Sequence, residues 1–228
     1  MASAKYFTRE YYEEMQLTGQ LVYHESQADL DEDVAWYDAN GRSYEEESRS
    51  RLEMLETRGF HRLPEDLREG VGRYAASRKL PPEEFLNRVN GWRREIRKKW
   101  EARTKDYVHH YRNIKEKLPA SVLRVTDRAG LHDARISGID TDGGALAIRL
   151  DCGGAYSFDG EAVLRFRGIR SCAYPEDRLN GGCWLDSEVY LREDGCFEMI
   201  GLIDVGFVEI EELVVVAEEL VIEALQAR

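Results

Sequence analysis

The sequence predicts an α+β fold, a helical first half followed by an antiparallel β half that forms a sheet, a sandwich or a part-closed barrel. Three observations carry this prediction. Apolar residues recur at helical spacing up to Leu118, and after Pro119 they alternate with polar ones. Asp-Gly pairs, Asp142-Gly143 and Asp194-Gly195, sit between alternating runs, where a tight hairpin needs a positive φ. A proline also disfavours helical geometry at the residue before it, so Pro119 marks the expected boundary between a helical domain, 1–118, and a β domain, 119–228.

The first helix is expected over 8–18, with Thr8 as its N-cap, Tyr11, Met15 and Thr18 on one face, and Gly19 interrupting it. Residues 20–38 read as helical too, with acids crowded between Asp29 and Asp33. Ser43 followed by Glu46 has capping-box spacing, which starts a helix at about 44 and ends it at 58, before Gly59. Pro64-Glu65-Asp66 opens a helix over 65–79, because a proline in the first turn loses no hydrogen bond and acids favour the positive helix end. Pro81-Pro82-Glu83-Glu84 repeats that device. From Val89 to Leu118 the residues Val89, Trp92, Ile96, Trp100, Tyr107, Tyr111, Ile114 and Leu118 stay within an arc of roughly 100°. They define one long amphipathic helix of about 45 Å, which Asn90-Gly91 could break in its first turn.

Strands are expected at 121–126, 131–140, 145–151, 161–169, 183–192, 196–204 and 207–216. A third Asp-Gly pair, Asp159-Gly160, follows Tyr156 and Phe158. The last twelve residues fit either a strand or a helix. The strand from Phe207 to Val216 and the apolar tail to Leu225 are expected to offer an exposed edge on which a homodimer could form.

With 43% apolar and 33% charged residues, the chain carries more core than a disordered sequence would. The longest purely apolar run, Leu213 to Ala217, is far short of a membrane span, and no basic-then-apolar leader opens the sequence. A cytoplasmic protein with no membrane association is therefore expected. Cys152, Cys172, Cys183 and Cys196 form no C-x-x-C pair, and buried free thiols are expected rather than disulfides or structural zinc.

The net charge of −12 is unevenly spread. Residues 1–69 hold 8 basic and 17 acidic side chains, 70–118 hold 14 and 6, and 119–228 hold 10 and 21. The basic middle segment can pair with its acidic neighbours, so it is not by itself a nucleic-acid footprint.

Phosphate-binding, dinucleotide-binding, nucleophile-elbow, zincin and EF-hand motifs are all absent from the sequence. His109 and His110 are helix neighbours pointing about 100° apart and cannot close on one ion, so neither a metal nor a cofactor is expected. His132 and Asp133 are the candidate catalytic residues. As neighbours opening a strand they should leave opposite faces and form no dyad, so a site would recruit Asp186, Glu188 or Asp204. Opposite the aromatic seam, Arg94, Arg97, Lys98, Lys105, Arg112 and Lys115 form a basic face around 93–117 that could follow phosphates. The acidic C-terminal half opposes a polyanion.

The segment Lys5-Tyr6-Phe7-Thr8-Arg9-Glu10-Tyr11-Tyr12-Glu13-Glu14-Met15-Gln16 resembles the opening of an uncharacterised bacterial family, the domain of unknown function 4085, and the length also fits. The resemblance implies a cytoplasmic protein of unassigned activity and transfers no catalytic residue. Together these readings favour a non-enzymatic intracellular interaction protein whose acidic β domain docks a basic partner. The alternatives are nucleic-acid binding through the basic helix face and an enzyme with a scattered His/carboxylate site.

Overall fold

The computed structural model describes residues 3–127, 130–142, 144–155, 158, 160–175, 177–206 and 208–225, and in these six α-helices precede an eight-stranded antiparallel sheet. Gly143, Tyr156, Asp159 and Phe207, named in the turn and strand expectations, lie outside the described residues.

The helices are α1 (Arg9–Gln20), α2 (Gln27–Ala39), α3 (Tyr44–Arg58), α4 (Glu65–Tyr74), α5 (Glu83–Ile114) and α6 (Ala120–Thr126). Local chemistry explains most of their ends. Thr8 Oγ1 accepts the Tyr11 N–H at 3.4 Å to start α1, which runs through Gly19 because a helical glycine costs only about 1 kcal/mol. Helix α2 begins later than the expected residue 20 because Ser26 and Asp29 form a reciprocal capping box. The crowded acids are thus the first turns of that helix. Ser43 accepts the Glu46 N–H at 3.3 Å, and α3 has the expected bounds. Helix α4 stops at Tyr74, five residues short of expectation. Helix α5 passes through Asn90-Gly91 unbroken and takes Pro81-Pro82 as its entry, so the proline device and the long seam belong to one helix of 32 residues. Along its seam Val89 and Ile96 are buried and Tyr107, Tyr111 and Ile114 half-buried.

Residues 121–126 are helical, not extended. Pro119 opens α6, with the Leu123 N–H on its carbonyl at 3.1 Å, and Val122 and Val125 are both buried at i, i+3 spacing. A six-residue apolar run cannot distinguish strand from helix by period alone.

The chain divides into two compact units, Met1–Tyr12 with Glu101–Arg228, and Glu13–Trp100. The change of periodicity at Pro119 lies inside the first. The second has its own core of Leu17, Leu55, Leu67, Val71, Phe85 and Val89, and its buried Glu13 pairs with Arg62.

The strands are β1 (Arg135–Asp142), β2 (Ala145–Asp151), β3 (Glu161–Arg167), β4 (Ser171–Ala173), β5 (Cys183–Leu191), β6 (Phe197–Gly206), β7 (Glu209–Ala217) and β8 (Glu219–Leu225). They lie in the order β4-β7-β6-β5-β1-β2-β3-β8, all antiparallel, and the sheet is not closed. Strand β2 has the expected bounds, β1 starts four residues late, the three-residue β4 was not expected, and Glu219–Leu225, within the twelve residues that fitted either, is a strand. The hairpin at Asp194-Gly195 forms as expected: Gly195 has φ +84°, and Asp194 Oδ1 accepts the Cys196 N–H at 3.1 Å.

Three residues separate β3 from β4 and one separates β7 from β8. These bends meet: the Glu218 N–H reaches Arg167 O at 3.1 Å and the Arg170 N–H reaches Val216 O at 2.8 Å. Gly168 turns the corner at φ +61°, a region that disfavours a Cβ. The bent ribbon folds the sheet over a core in which Phe166 and Phe197 stand 6.3 Å apart. Of the two segments expected to offer an exposed edge, β7 is interior, between β6 and β4, while the apolar tail is β8, which with β4 forms the edges of the sheet. Edge strand β8 carries Glu219 and Glu223, paired with Arg167 and Arg165 on β3. Among the described residues no helix is long and apolar enough to cross a membrane.

Candidate binding cavity

Strand β5 carries two acids, Asp186 and Glu188, on either side of Ser187, flanked by the apolar pairs Trp184-Leu185 and Val189-Tyr190. Its register against β6 slips between Trp184 and Asp186, the signature of a bulge. The extra residue resets the alternation. Trp184 and Val189 enter the core, whereas Asp186 and Glu188 meet the N-terminal segment instead. Gly201 on β6 makes room for the indole, since a Cβ there would lie 2.6 Å from Trp184 Cζ2.

On its other side β5 has little strand cover. Its register with β1 is the single pair Arg135↔Cys183, extended by the Trp184 N–H on Ala134 O at 2.7 Å and the Asp133 N–H on Trp184 O at 2.9 Å. Beyond this the last turns of α5 cover the edge. Tyr107 accepts the Val189 N–H at 3.0 Å, and the Val189 carbonyl accepts from His110 Nε2 at 3.2 Å, which fixes that tautomer. His110 is therefore a strand-edge cap packed against Tyr190, with ring centroids 4.9 Å apart, while His109 is exposed.

Where β1 and β5 part, a cavity of about 250 Å³ remains. Thr104, Tyr107, Val108 and Tyr111 of α5 form one side, and Leu131, His132 and Trp184 to Ser187 form the facing side. Phe7 from the N-terminal segment and the end of α6 complete it. Three polar groups matter. The Thr104 hydroxyl is buried with no hydrogen-bond partner among the described residues. Ser187 Oγ accepts from Trp184 Nε1 at 2.9 Å and keeps its own proton to donate. Asp186 Oδ2 accepts from the Tyr12 hydroxyl at 3.2 Å.

Burial pushes the Asp186 carboxyl above the usual carboxylate range, against the opposing pull of the Tyr12 hydrogen bond and of His132. Burial likewise raises the phenols: Tyr111 is pushed up to about 12, and Tyr12 and Tyr107 go higher still. A raised carboxyl makes a prediction. The folded chain holds the Asp186 proton more tightly than the unfolded chain, so that stabilisation is complete below the ordinary Asp value of about 3.9 and is lost as pH rises through the raised folded value. Asp186→Asn, which cannot ionise, should match wild type near about pH 3 and exceed it in denaturation midpoint near about pH 7. Equal midpoints at both pH values would contradict a desolvated Asp186.

The N-terminal segment that carries the family resemblance docks beside this cavity. Glu188, wholly buried, accepts the backbone N–H groups of Lys5 at 2.8 Å and Tyr6 at 2.7 Å, together with that of Phe7 and the Tyr190 hydroxyl. Arg103 stacks 4.3 Å from the Tyr11 ring centroid and donates to Tyr6 O at 3.2 Å.

His132 lines the cavity and Asp133 does not. The expectation that they form no pair is corrected, because these residues are a turn rather than a strand. Asp133 takes a left-handed φ of +68°, which brings its Oδ2 to 3.1 Å from His132 Nδ1. Of the three acids expected as recruits, Asp186 reaches the cavity, Glu188 is spent on the N-terminal segment, and Asp204, opposite Cys183 near the C-terminal end of β6, accepts the Gly206 N–H at 3.0 Å. Among the basic face, Arg94, Arg97, Lys98, Lys105 and Arg112 are exposed, and Lys115 pairs with Asp127 at 2.7 Å. Cys152 and Cys196 are buried free thiols, and Cys172 and Cys183 are free and half-buried.

Two other hollows lie in the unit Glu13–Trp100. One, with Tyr23 and Tyr44 in its wall, is only about 70 Å³. The other is an open groove of about 370 Å³ whose charges answer each other, Arg73 with Glu69 and Arg88 with Asp66. Sequence reasoning missed Thr104 and Tyr12. Its usable signal was the pair of acids between apolar residues in the middle of β5.

A family model described as "Protein of unknown function (DUF4085)" matches residues 6–212. Neither a curated protein nor a solved structure matches the chain.

Proposed function

The chain belongs to the DUF4085 family, and we propose that it is a non-enzymatic cytoplasmic binding protein whose ligand occupies the cavity between α5 and the start of β5. The observation that carries this reading is the convergence of a buried, unpartnered Thr104 hydroxyl and a desolvated Asp186 on one mainly apolar hollow. The large majority of buried side-chain hydroxyls in native proteins have a hydrogen-bond partner. The free thiols support an intracellular setting.

Docking of a basic protein on the acidic β face has weaker support, because the sheet answers many of its own acids. Arg178 pairs with Glu209 and Glu211, Arg170 with Glu218, and Arg165 with Glu223. A catalytic reading rests on His132 and Asp186 sharing the cavity wall.

Filling the cavity tests the binding reading. Small fragments that bind wild type in ligand-observed NMR are expected to lose at least about tenfold in affinity to Thr104→Phe, whose ring would occupy the space. Fragments that bind both proteins equally, or whose shifts map only to Glu13–Trp100, would remove it.

A further inference from the structure

The cavity wall has a one-sided charge. Among the described residues that line it, the acids are Asp127 and Asp186, the basic group is the imidazole of His132, and there is no lysine or arginine. Asp127 is already answered, since it accepts from Lys115 Nζ at 2.7–2.8 Å and from the Tyr111 hydroxyl at 2.9 Å. His132 Nδ1 lies 3.1 Å from the Asp133 carboxylate. Asp186 has a neutral hydrogen-bond donor, the Tyr12 phenol, and the His132 imidazole also favours its charge, while the neighbouring Glu188 adds a second negative charge behind it. A half-buried carboxylate with no lysine or arginine against it among the described residues is in an unfavourable state, which a cation supplied from outside would relieve.

The rest of the wall fits such a cation. The rings of Phe7, Tyr107, Tyr111 and Trp184 line the hollow, and aromatic rings attract a desolvated ammonium through their quadrupole while they cover an apolar body. An anion would meet Asp186 with like charge. Thr104 Oγ1 offers lone pairs to a second N–H that Asp186 does not take. The volume of about 250 Å³ falls below the ~300–1,000 Å³ usual for drug-sized ligands, so the occupant is small.

We infer that the cavity takes a small organic cation, a primary ammonium group on a compact apolar or aromatic body, with the ammonium between Asp186 and the Thr104 hydroxyl. This rests on the cavity being the binding site, and adds the chemical class of what binds there.

Three isosteric probes separate the two ideas: benzylamine, benzyl alcohol and benzoate, titrated by calorimetry into the full chain, with the Trp184 indole resonance as a local reporter. Benzylamine is expected to bind at least about tenfold more tightly than either other probe, and to lose about tenfold or more in Asp186→Asn. Its affinity should also fall as pH is lowered through the raised pKa of Asp186, because protonation removes the charge that the ammonium pairs with. That variant is expected to be at least as stable as wild type at neutral pH, so lost binding cannot be put down to lost folding. If benzyl alcohol or benzoate moves the Trp184 resonance with equal or greater affinity, or Asp186→Asn binds benzylamine unchanged, the cation assignment is wrong while the cavity remains a binding site. If none of the three binds or moves Trp184, both are wrong.

Discussion

Glu188→Ala is expected to destabilise the unit that contains it by about 3–5 kcal/mol, one of the two largest single-residue effects in this chain. The carboxylate is fully buried and accepts three successive backbone N–H groups and the Tyr190 hydroxyl. Each hydrogen bond to a charged group is worth about 1.5–3 kcal/mol, and summing four would overshoot. The N-terminal segment can instead peel away and let water satisfy its amides, which caps the loss near the free energy that docks the segment. Amide exchange separates the outcomes. Residues 5–12 should exchange far faster in the variant while β2 and β6 stay protected at moderate denaturant. Glu188→Gln, which keeps the shape but turns one acceptor into a donor facing N–H groups, should fall between wild type and alanine. A loss under about 0.5 kcal/mol in alanine, with unchanged exchange at Lys5 to Phe7, would mean that the segment is held by something else.

Trp184→Ala is expected to cost about 3–5 kcal/mol through the volume it vacates. The indole is 1% exposed, lies against the bare Cα of Gly201, and donates to Ser187. Its removal joins the vacated space to the existing cavity, so collapse of the site will be poor and the upper part of that range applies. A returned side chain should recover part of the loss. Trp184→Ala with Gly201→Val is expected to regain about 1–2 kcal/mol in urea denaturation, whereas Gly201→Val alone should destabilise by overpacking. Additive losses in the double variant would show that the two positions do not share one space.

What could be read from the sequence was whatever neighbours along the chain decide. Helix α3 came out with its expected ends because Ser43 and Glu46 cap it locally, and the β5–β6 hairpin formed at Asp194-Gly195 because only the turn residues need the unusual φ. The α5 seam was visible because burial follows a 3.6-residue period, and the family resemblance at Lys5 to Gln16 was visible as well. The tertiary structure decided the rest. Residues 121–126 became helix because their two valines found the core at i, i+3, a choice their own period leaves open. His132 and Asp133 met because a left-handed residue before β1 replaced the expected strand, and no local signal announces that turn. Asp186 and Glu188, three and one residues before Val189, were plain in the sequence, yet their roles diverged through long-range facts. A bulge at Leu185 sets which face each acid takes, and the parting of β1 from β5 opens a cavity beside one of them. An N-terminal segment more than 180 residues away in sequence closes over the other. Burial of a charge depends on what the folded chain brings next to it, and alternation along a single strand carries no record of that.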